Sequence, residues 1–178
     1  GIVLDVGANI GVMSYYLARG QKQRKVFAFE PIPINFTNLE RIKMKYSLNN
    51  LEIFQLALGD QNGTIDMVLP VQRSVRFHGL AHVKDENMPD RGDIFQCPMK
   101  RLDDVESIMQ CNSRVTGIKI DVENYEYFVL KGATGLIKKH RPVIYCELWD
   151  NENRTLTIKL LTELGYRTLV LQKNLLVD

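Results

Sequence analysis

The sequence has few cysteines and no long apolar run. Its three cysteines, Cys97, Cys111 and Cys146, form neither a CxxC pair nor a disulfide framework. This usage favours a reducing compartment over secretion. No stretch approaches the roughly 20 consecutive apolar residues that span a bilayer. We therefore expect a cytoplasmic protein without a membrane span.

The sequence also lacks a strong excess of either charge. The 23 basic and 21 acidic residues leave a formal net charge of +2, so we expect no nucleic-acid partner. The length of 178 residues and the 45% hydrophobic content fit a single domain, 1–178, with its own core. Because Gly1 opens directly into a strand, we expect that the N-terminus has been trimmed. The oligomeric state is left open.

Apolar runs and helical patterns alternate along the chain. The predicted strands are "IVLDV", "KVFAFE", "LEIFQLAL", "VTGIKID" and "RPVIYCEL", with "TIDMVLP" hairpinned to the third of them. Helices are predicted near 10–18, from Pro33 onward, over "RLDDVESIM", over 125–137 and over "TLTIKLLTEL". This alternation is typical of an α/β fold with a doubly wound, mostly parallel sheet. A C-terminal antiparallel hairpin is expected at one edge of that sheet.

Periodicity disappears between Val71 and Pro98. We predict an irregular insertion over 71–98. Long segments of this kind in compact domains are often functional. The insertion is therefore a candidate lid or substrate loop.

Four of the predicted strands end on an acid, namely Asp5, Glu30, Asp121 and Glu147. In an open parallel sheet, ligands bind outside the carboxyl ends of the strands, where the strand order reverses. We therefore expect the four carboxylates to gather round one crevice. A helix cap or a turn is the alternative for any single one of them.

The glycine-rich turn after the first strand indicates which ligand would bind there. Gly7 and Gly11 form a GxxxG motif, whereas a dinucleotide fold uses GxGxxG to admit a pyrophosphate. A carboxylate at Asp5 suits a ligand with an ammonium group, and Glu30 is placed to accept ribose hydroxyls. These features favour S-adenosylmethionine over NAD as the cofactor.

Several motifs together resemble the FkbM-type methyltransferases, which use S-adenosylmethionine on a Rossmann-like sheet of the class I methyltransferase fold. The motifs are "DVGANIG", "FEP", "ALGD", "RLDD", "IKIDVE", "VLKGA" and "RPVIYCE". The resemblance covers nearly the whole chain apart from 71–98. It implies that Asp5, Gly7, Asn9 and Gly11 hold the methionine part of the cofactor and that Glu30 holds the ribose. Asp60, or the backbone beside it, would lie against the adenine, with a turn role as the alternative.

Residues on the acceptor side are candidates for the chemistry. Asp121 and Glu123 follow Lys119 with period two, and one of the two acids would act as the base or orient the acceptor hydroxyl. The alternatives are a salt-bridged row with Lys119, a helix-start role for Glu123, or a divalent metal on both acids with Glu147. Nothing in the sequence requires a metal.

Two histidines fall within the irregular segment, at His78 and His82. They are candidates for substrate binding or for the base, with a surface role as the alternative. The family's small pair after "DVE" is replaced here by Asn124-Tyr125. Asparagine tolerates a positive φ, whereas Tyr125 would reshape the acceptor side.

The sequence thus predicts an S-adenosylmethionine-dependent methyltransferase that modifies a hydroxyl oxygen. The resemblance implies a small-molecule or glycan acceptor, namely a sugar or a natural product. Two alternatives stay open. One is a non-catalytic module that binds the cofactor or has lost it, and the other is an NAD(P)-dependent oxidoreductase, which the GxxxG motif and Asp5 disfavour.

Overall fold

The computed structural model describes residues 1–72, 75–76, 80–84, 92–172 and 175–177. The first elements are β1 (Ile2–Val6), α1 (Val12–Gly20), β2 (Lys25–Phe29), α2 (Pro33–Lys45), β3 (Leu51–Phe54), β4 (Ala57–Leu58), β5 (Gly63–Gln72), β6 (Val75–Arg76), β7 (His82–Val83) and β8 (Gly92–Lys100). A 3-10 helix (Leu102–Asp104) comes next, followed by α3 (Glu106–Met109), β9 (Val115–Ile120), α4 (Glu126–Lys131), α5 (Thr134–His140), β10 (Val143–Cys146), α6 (Glu152–Glu163), β11 (Val170–Gln172) and β12 (Leu175–Val177).

Five parallel strands form the main sheet, in the order β10-β9-β1-β2-β3. The chain builds outward from β1 to β3, and it then returns to the other side of β1 with β9 and β10. The strand order therefore reverses between β1 and β9, which is where a ligand crevice is expected in such a sheet. The predicted doubly wound parallel sheet is confirmed.

The two faces of β2 show why this sequence forms a buried strand. Val26 and Ala28 belong to the core beneath α1 and α2, together with Leu39. Phe27 and Phe29 belong to the larger core on the opposite face, beside residues of α4 and α5. A parallel strand buried on both faces is apolar throughout, so β2 is read easily from the sequence.

A second sheet, in the order β4-β8-β5-β6 with β7 paired to β5, adjoins the main sheet. Its side chains Met67, Leu69 and Cys97 bury Ile32, which precedes α2. The predicted hairpin of "TIDMVLP" with the third strand is wrong, because β5 pairs antiparallel with β8. The third strand itself divides into β3 and β4, which lie in different sheets.

The strand β8 also corrects the prediction that 71–98 is irregular throughout. It runs from Gly92 to Lys100, and Cys97 and Met99 in it are buried. Phe95, Cys97 and Met99 alternate with the exposed positions Gln96, Pro98 and Lys100, so the period of a strand is present in the sequence. Pro98 lacks the backbone N–H that a central strand normally donates, and a proline within such a run argues against a strand.

Four of the predicted helices differ from their bounds. The segment "RLDDVESIM" divides into the 3-10 helix and α3, and the last helix begins at Glu152 rather than at Thr155. The helix α1 begins at Val12 rather than near residue 10, because Gly11 has a φ of +94°. The helix predicted over 125–137 is two helices that are separated at Gly132 and Ala133. Gly132 packs so closely that a Cβ there would lie 1.9 Å from the carbonyl oxygen of Gly59.

The C-terminal strands β11 and β12 pair antiparallel, as predicted. They form a two-stranded sheet of their own rather than an extension of the main sheet, so β10 stays at its edge among the described residues. Within the described ranges, no helix combines the length and the apolar character that crossing a bilayer requires.

Candidate active site

The turn between β1 and α1, residues 7–11 and here called the glycine loop, is held close to its neighbours. Gly7 has a φ of +73°, and a Cβ on it would lie 1.9 Å from the carbonyl oxygen of Asp121. A Cβ on Gly11 would lie 2.5 Å from Leu39. The N–H of Gly7 donates to the carbonyl of Phe29 at 3.1 Å. Gly7 is therefore required by its close packing against the backbone of Asp121, and Gly11 by its φ of +94° and its contact with the Leu39 side chain.

The carboxylate of Glu30 holds this loop from the end of β2. It accepts hydrogen bonds from the backbone N–H of Asn9 at 2.8 Å and of Ile32 at 2.9 Å, and from the side-chain amide of Asn35 at 3.4 Å. Burial raises the pKa of Glu30, and the two backbone donors act in the opposite direction. Glu30 also lines a small cavity with Asp121 and Glu123, so it reaches the predicted crevice.

Asp5 lies beneath the crevice rather than in it. Its side chain is fully buried, and one oxygen accepts a hydrogen bond of 2.5 Å from the hydroxyl of Ser14 in α1. The other oxygen lies 3.3 Å from the Nζ of Lys119, an ion pair without hydrogen-bond geometry. Burial raises the pKa of Asp5 despite these partners. Lys119 thus occupies the place that the sequence assigns to a ligand's ammonium group.

Asp121 follows β9 and shares Lys119 with Asp5. Its carboxylate lies 3.5 Å from the Nζ of Lys119, and its side chain is 40% exposed. The salt-bridged row that the sequence offers as an alternative is therefore present for Asp121. Asp121 lines the small cavity with Glu30, so this residue borders the crevice from the β9 side.

Glu123 lies in a strained turn, with a φ of +51°. Burial, followed by the negative charges of Asp121, Glu147 and Glu126, raises its pKa to about 7, and His82 acts in the opposite direction. A carboxyl group with this pKa exists in both protonation states at neutral pH. Among the candidate residues, Glu123 is therefore suited to accept and release a proton.

Glu126, which the sequence reasoning missed, shapes that turn. It is buried and accepts hydrogen bonds from the N–H groups of Val122 and Asn124, both at 3.3 Å. Asn124 has a φ of +73°, which confirms the expectation that asparagine sustains the turn. Its carbonyl also accepts a hydrogen bond of 2.9 Å from Asn153. The signal in the sequence was an acid in the first turn of the following helix.

An apolar cavity adjoins the glycine loop. It is lined by Val6, Gly7, Phe29, Pro31, Leu56, Ala57, Leu58, Ile65, Met67, Val83, Val122 and Tyr125. The sequence places Tyr125 on the acceptor side, whereas the structure places it in this cavity, stacked on Phe128 at 4.5 Å. Asp60 does not line the cavity, and its carboxylate pairs with Lys131 at 2.8 Å.

The segment 80–84 covers the crevice from the side of the second sheet. Ala81 lines the small cavity with Glu30, Asp121 and Glu123, and the charge of His82 acts on Glu123. The Nδ1 of His82 lies 2.9 Å from the carbonyl of Leu80, which orients the ring. His78 lies outside the described residues. The described part of the chain gathers no group of three or more His, Cys, Asp or Glu that could hold a metal ion.

A larger depression lies elsewhere, at the amino ends of β2 and β3. It measures about 1070 Å³, whereas the apolar cavity and the small cavity measure about 30 and 60 Å³. None of the predicted site residues lines it. Its five cations are Arg19, Lys22, Lys25, Lys43 and Lys45, and the carboxyl ends of α1 and α2 favour cations there.

Several known proteins are similar to this chain. The family model described as "Methyltransferase FkbM domain" matches residues 5–168. Methyltransferase 1 of Beauveria bassiana is 28% identical over 176 residues, which cover 90% of this chain and 70% of that protein. Methyltransferase sdnD of Sordaria araneosa and the 31-O-demethyl-FK506 methyltransferase FkbM of Streptomyces tacrolimicus are each 28% identical. The chain spans 59% and 58% of those two relatives.

Solved structures support the fold. Methyltransferase FkbM from Methylobacillus flagellatus superposes with a TM-score of 0.62 at 20% identity, over 90% of this chain and 36% of that one. Precorrin-6y C5,15-methyltransferase from Geobacter metallireducens gives a TM-score of 0.56 at 10% identity, over 95% of this chain and 65% of that one. Both are similar in fold to this chain.

The raised pKa of Glu123 predicts how stability depends on pH. Because the folded state binds this proton more tightly than the unfolded state, the contribution of Glu123 is present below pH 4.5 and is lost as the pH rises to about 7. The free energy of unfolding of the unmodified chain, relative to Glu123→Gln, should therefore fall across that range. Chemical denaturation at a series of pH values measures it, and a difference that rises with pH contradicts the assignment.

Proposed function

Because the chain belongs to the FkbM family of methyltransferases, we propose that it transfers a methyl group from S-adenosylmethionine to a hydroxyl oxygen. The observation that carries the proposal is the position of Glu30. Its carboxylate is oriented by the N–H groups of Asn9 and Ile32, and it stands between the glycine loop and the apolar cavity. In S-adenosylmethionine the ribose lies between the adenine and the amino acid. The ribose would therefore lie at Glu30, the adenine in the apolar cavity and the amino acid at the glycine loop.

The residues present fit the cofactor. A carboxylate offers about four acceptor positions, and Glu30 uses three of them, the weakest with Asn35 at 3.4 Å. It can therefore still accept a ribose hydroxyl. The apolar walls at Phe29, Leu58 and Tyr125 suit an adenine ring, and the glycine loop with Asn9 and Asp121 would hold the methionine part.

We assign the proton transfer to Glu123. When bound, the cofactor would supply an electrophilic methyl group on a positively charged sulfur, with a neutral thioether as the leaving group. The Glu123 carboxylate would accept the proton of the acceptor hydroxyl as that oxygen takes up the methyl group. The pKa of about 7 for Glu123 suits this step, whereas Asp121 is engaged with Lys119. His82 would contact the acceptor from the opposite wall.

The segment 80–84 would act as a lid. Pockets for drug-sized ligands measure roughly 300–1,000 Å³, whereas the two cavities of the crevice measure about 30 and 60 Å³. Ala81 and Val83 of this segment line those cavities. We therefore expect this segment to move outward when the cofactor enters.

The proposed class of methyl acceptor rests on a relative of this chain. The name of the Streptomyces tacrolimicus relative specifies a 31-O-demethyl compound, which is consistent with a hydroxyl as the methylated group. A sugar or natural-product alcohol is therefore the class that we propose to test first. The chain covers 58% of that relative. The acceptor of this chain is therefore to be identified by experiment.

Calorimetric titration with S-adenosylhomocysteine beside NADH tests the cofactor. We expect micromolar affinity for S-adenosylhomocysteine alone, reduced about 10- to 100-fold by Glu30→Ala, because a hydrogen bond to a charged group contributes about 1.5–3 kcal/mol. Glu40→Ala, which removes an exposed carboxylate of α2, should bind like the unmodified chain. Binding of NADH in place of S-adenosylhomocysteine would favour the oxidoreductase and contradict the proposal.

Substitution of Glu123 tests the chemistry. Glu123→Gln should lower kcat about 10²- to 10⁴-fold, the usual contribution of a positioned base, and leave the affinity for S-adenosylhomocysteine nearly intact. In the unmodified chain, the rate should rise with pH through about 7, since the base must be deprotonated. Product analysis by mass spectrometry with a panel of alcohols provides the readout. A Glu123→Gln variant of undiminished rate would contradict the assignment, and cofactor binding without any turnover would favour the non-catalytic module.

A further inference from the structure

Lys119 has more partners than a surface lysine would have. Its side chain is only 12% exposed. The Nζ donates to the carbonyl of Gly7 at 2.8 Å and to that of Val6 at 3.4 Å. It also lies 3.3 Å from Asp5 and 3.5 Å from Asp121. One ammonium group thus joins the end of β1, the glycine loop and the first residue after β9.

These contacts connect the two halves of the crevice. The glycine loop belongs to the cofactor side, and Asp121 leads into the turn that carries Glu123. Gly7 is held on one side by the carbonyl of Phe29 and on the other by Lys119. No other cation in the described ranges makes an ion pair with either Asp5 or Asp121.

We propose that Lys119 is a positioning residue, which holds the glycine loop and Asp121 in the register that the methyl transfer requires. This inference rests on the proposed function. Lys119 would contact neither the cofactor nor the acceptor. It would act through the Gly7 carbonyl, which sets the course of the loop, and through the Asp121 carboxylate, which it keeps at the crevice wall.

A purely structural role for Lys119 makes a different prediction. A buried ion pair can often be replaced by neutral groups of similar size without loss of stability, whereas removal of one partner leaves a buried charge and is costly. If Lys119 served only to neutralise Asp5, removing both charges would restore the fold and the site together. The contacts with Gly7 and Asp121 face the crevice, and neutralising Asp5 does not replace them.

The charges around Glu123 supply a second readout. Besides burial, the charges of Asp121, Glu147 and Glu126 raise the pKa of Glu123, and that of His82 lowers it. Lys119 offsets the charge of Asp121 at 3.5 Å. Loss of Lys119 should therefore raise the pH at which the rate increases, whereas Asp121→Asn should lower that pH. A residue that only stabilises the fold would leave this pH dependence in place.

The experiment compares Lys119→Met with the double variant Asp5→Asn/Lys119→Met. Lys119→Met should lower the melting temperature, because Asp5 is left buried without its cation. The double variant should regain the melting temperature but bind S-adenosylhomocysteine about 10- to 100-fold more weakly than the unmodified chain. The pH at which the rate of the double variant increases should also be higher than in the unmodified chain. Asp121→Asn leaves the pair of Asp5 and Lys119 intact, and it should lower the pH at which the rate increases.

Three outcomes would contradict the proposal or its premise. A double variant with unchanged affinity and pH dependence would show that Lys119 only neutralises Asp5. A double variant that does not regain its melting temperature would show that the positioning role cannot be separated from the fold, which also overturns the proposal. If the unmodified chain fails to bind S-adenosylhomocysteine, the proposed function itself is wrong, independently of Lys119.

Discussion

The buried carboxylate of Asp5 is the constraint on which the rest of the crevice depends. An ionised group in a protein interior costs several kcal/mol unless it is paired, and here its partners come from α1 and β9, through Ser14 and Lys119. These partners connect the first helix, the central strand and the strand that precedes Asp121. The glycine loop lies next to them, and Lys119 contacts it through the carbonyl of Gly7 in addition to pairing with Asp5.

The parallel sheet separates the charges of the molecule into two ends. The reversal of strand order places Glu30, Asp121 and Glu123 at the carboxyl ends of the strands. The amino ends carry a basic depression that includes Lys25 and Lys43. The nearly balanced net charge of +2 conceals this polarity. An acidic crevice attracts a ligand with a positive centre, which is consistent with S-adenosylmethionine.

The sequence predicts what depends on local patterns and misses what depends on distant partners. The buried strand β2, the start of α2 at Pro33 and the glycine turn all follow from short-range signals. The strand β8 is missed because it contains Pro98, a residue that argues against a central strand although the alternation around it is intact. Glu126 is missed because its partners are backbone N–H groups in a turn with positive φ. Asp5 was recognised as unusual, but spacing alone could not distinguish an internal lysine from the ammonium group of a ligand.

A crystal structure of the chain with S-adenosylhomocysteine tests the central claim most directly, which is that the carboxyl-end crevice is the cofactor site. The account predicts that the ribose lies against Glu30, the adenine lies between Phe29 and Tyr125, and the segment 80–84 is displaced. An ordered S-adenosylhomocysteine in the basic depression beside Lys25, with the crevice unchanged, would contradict it.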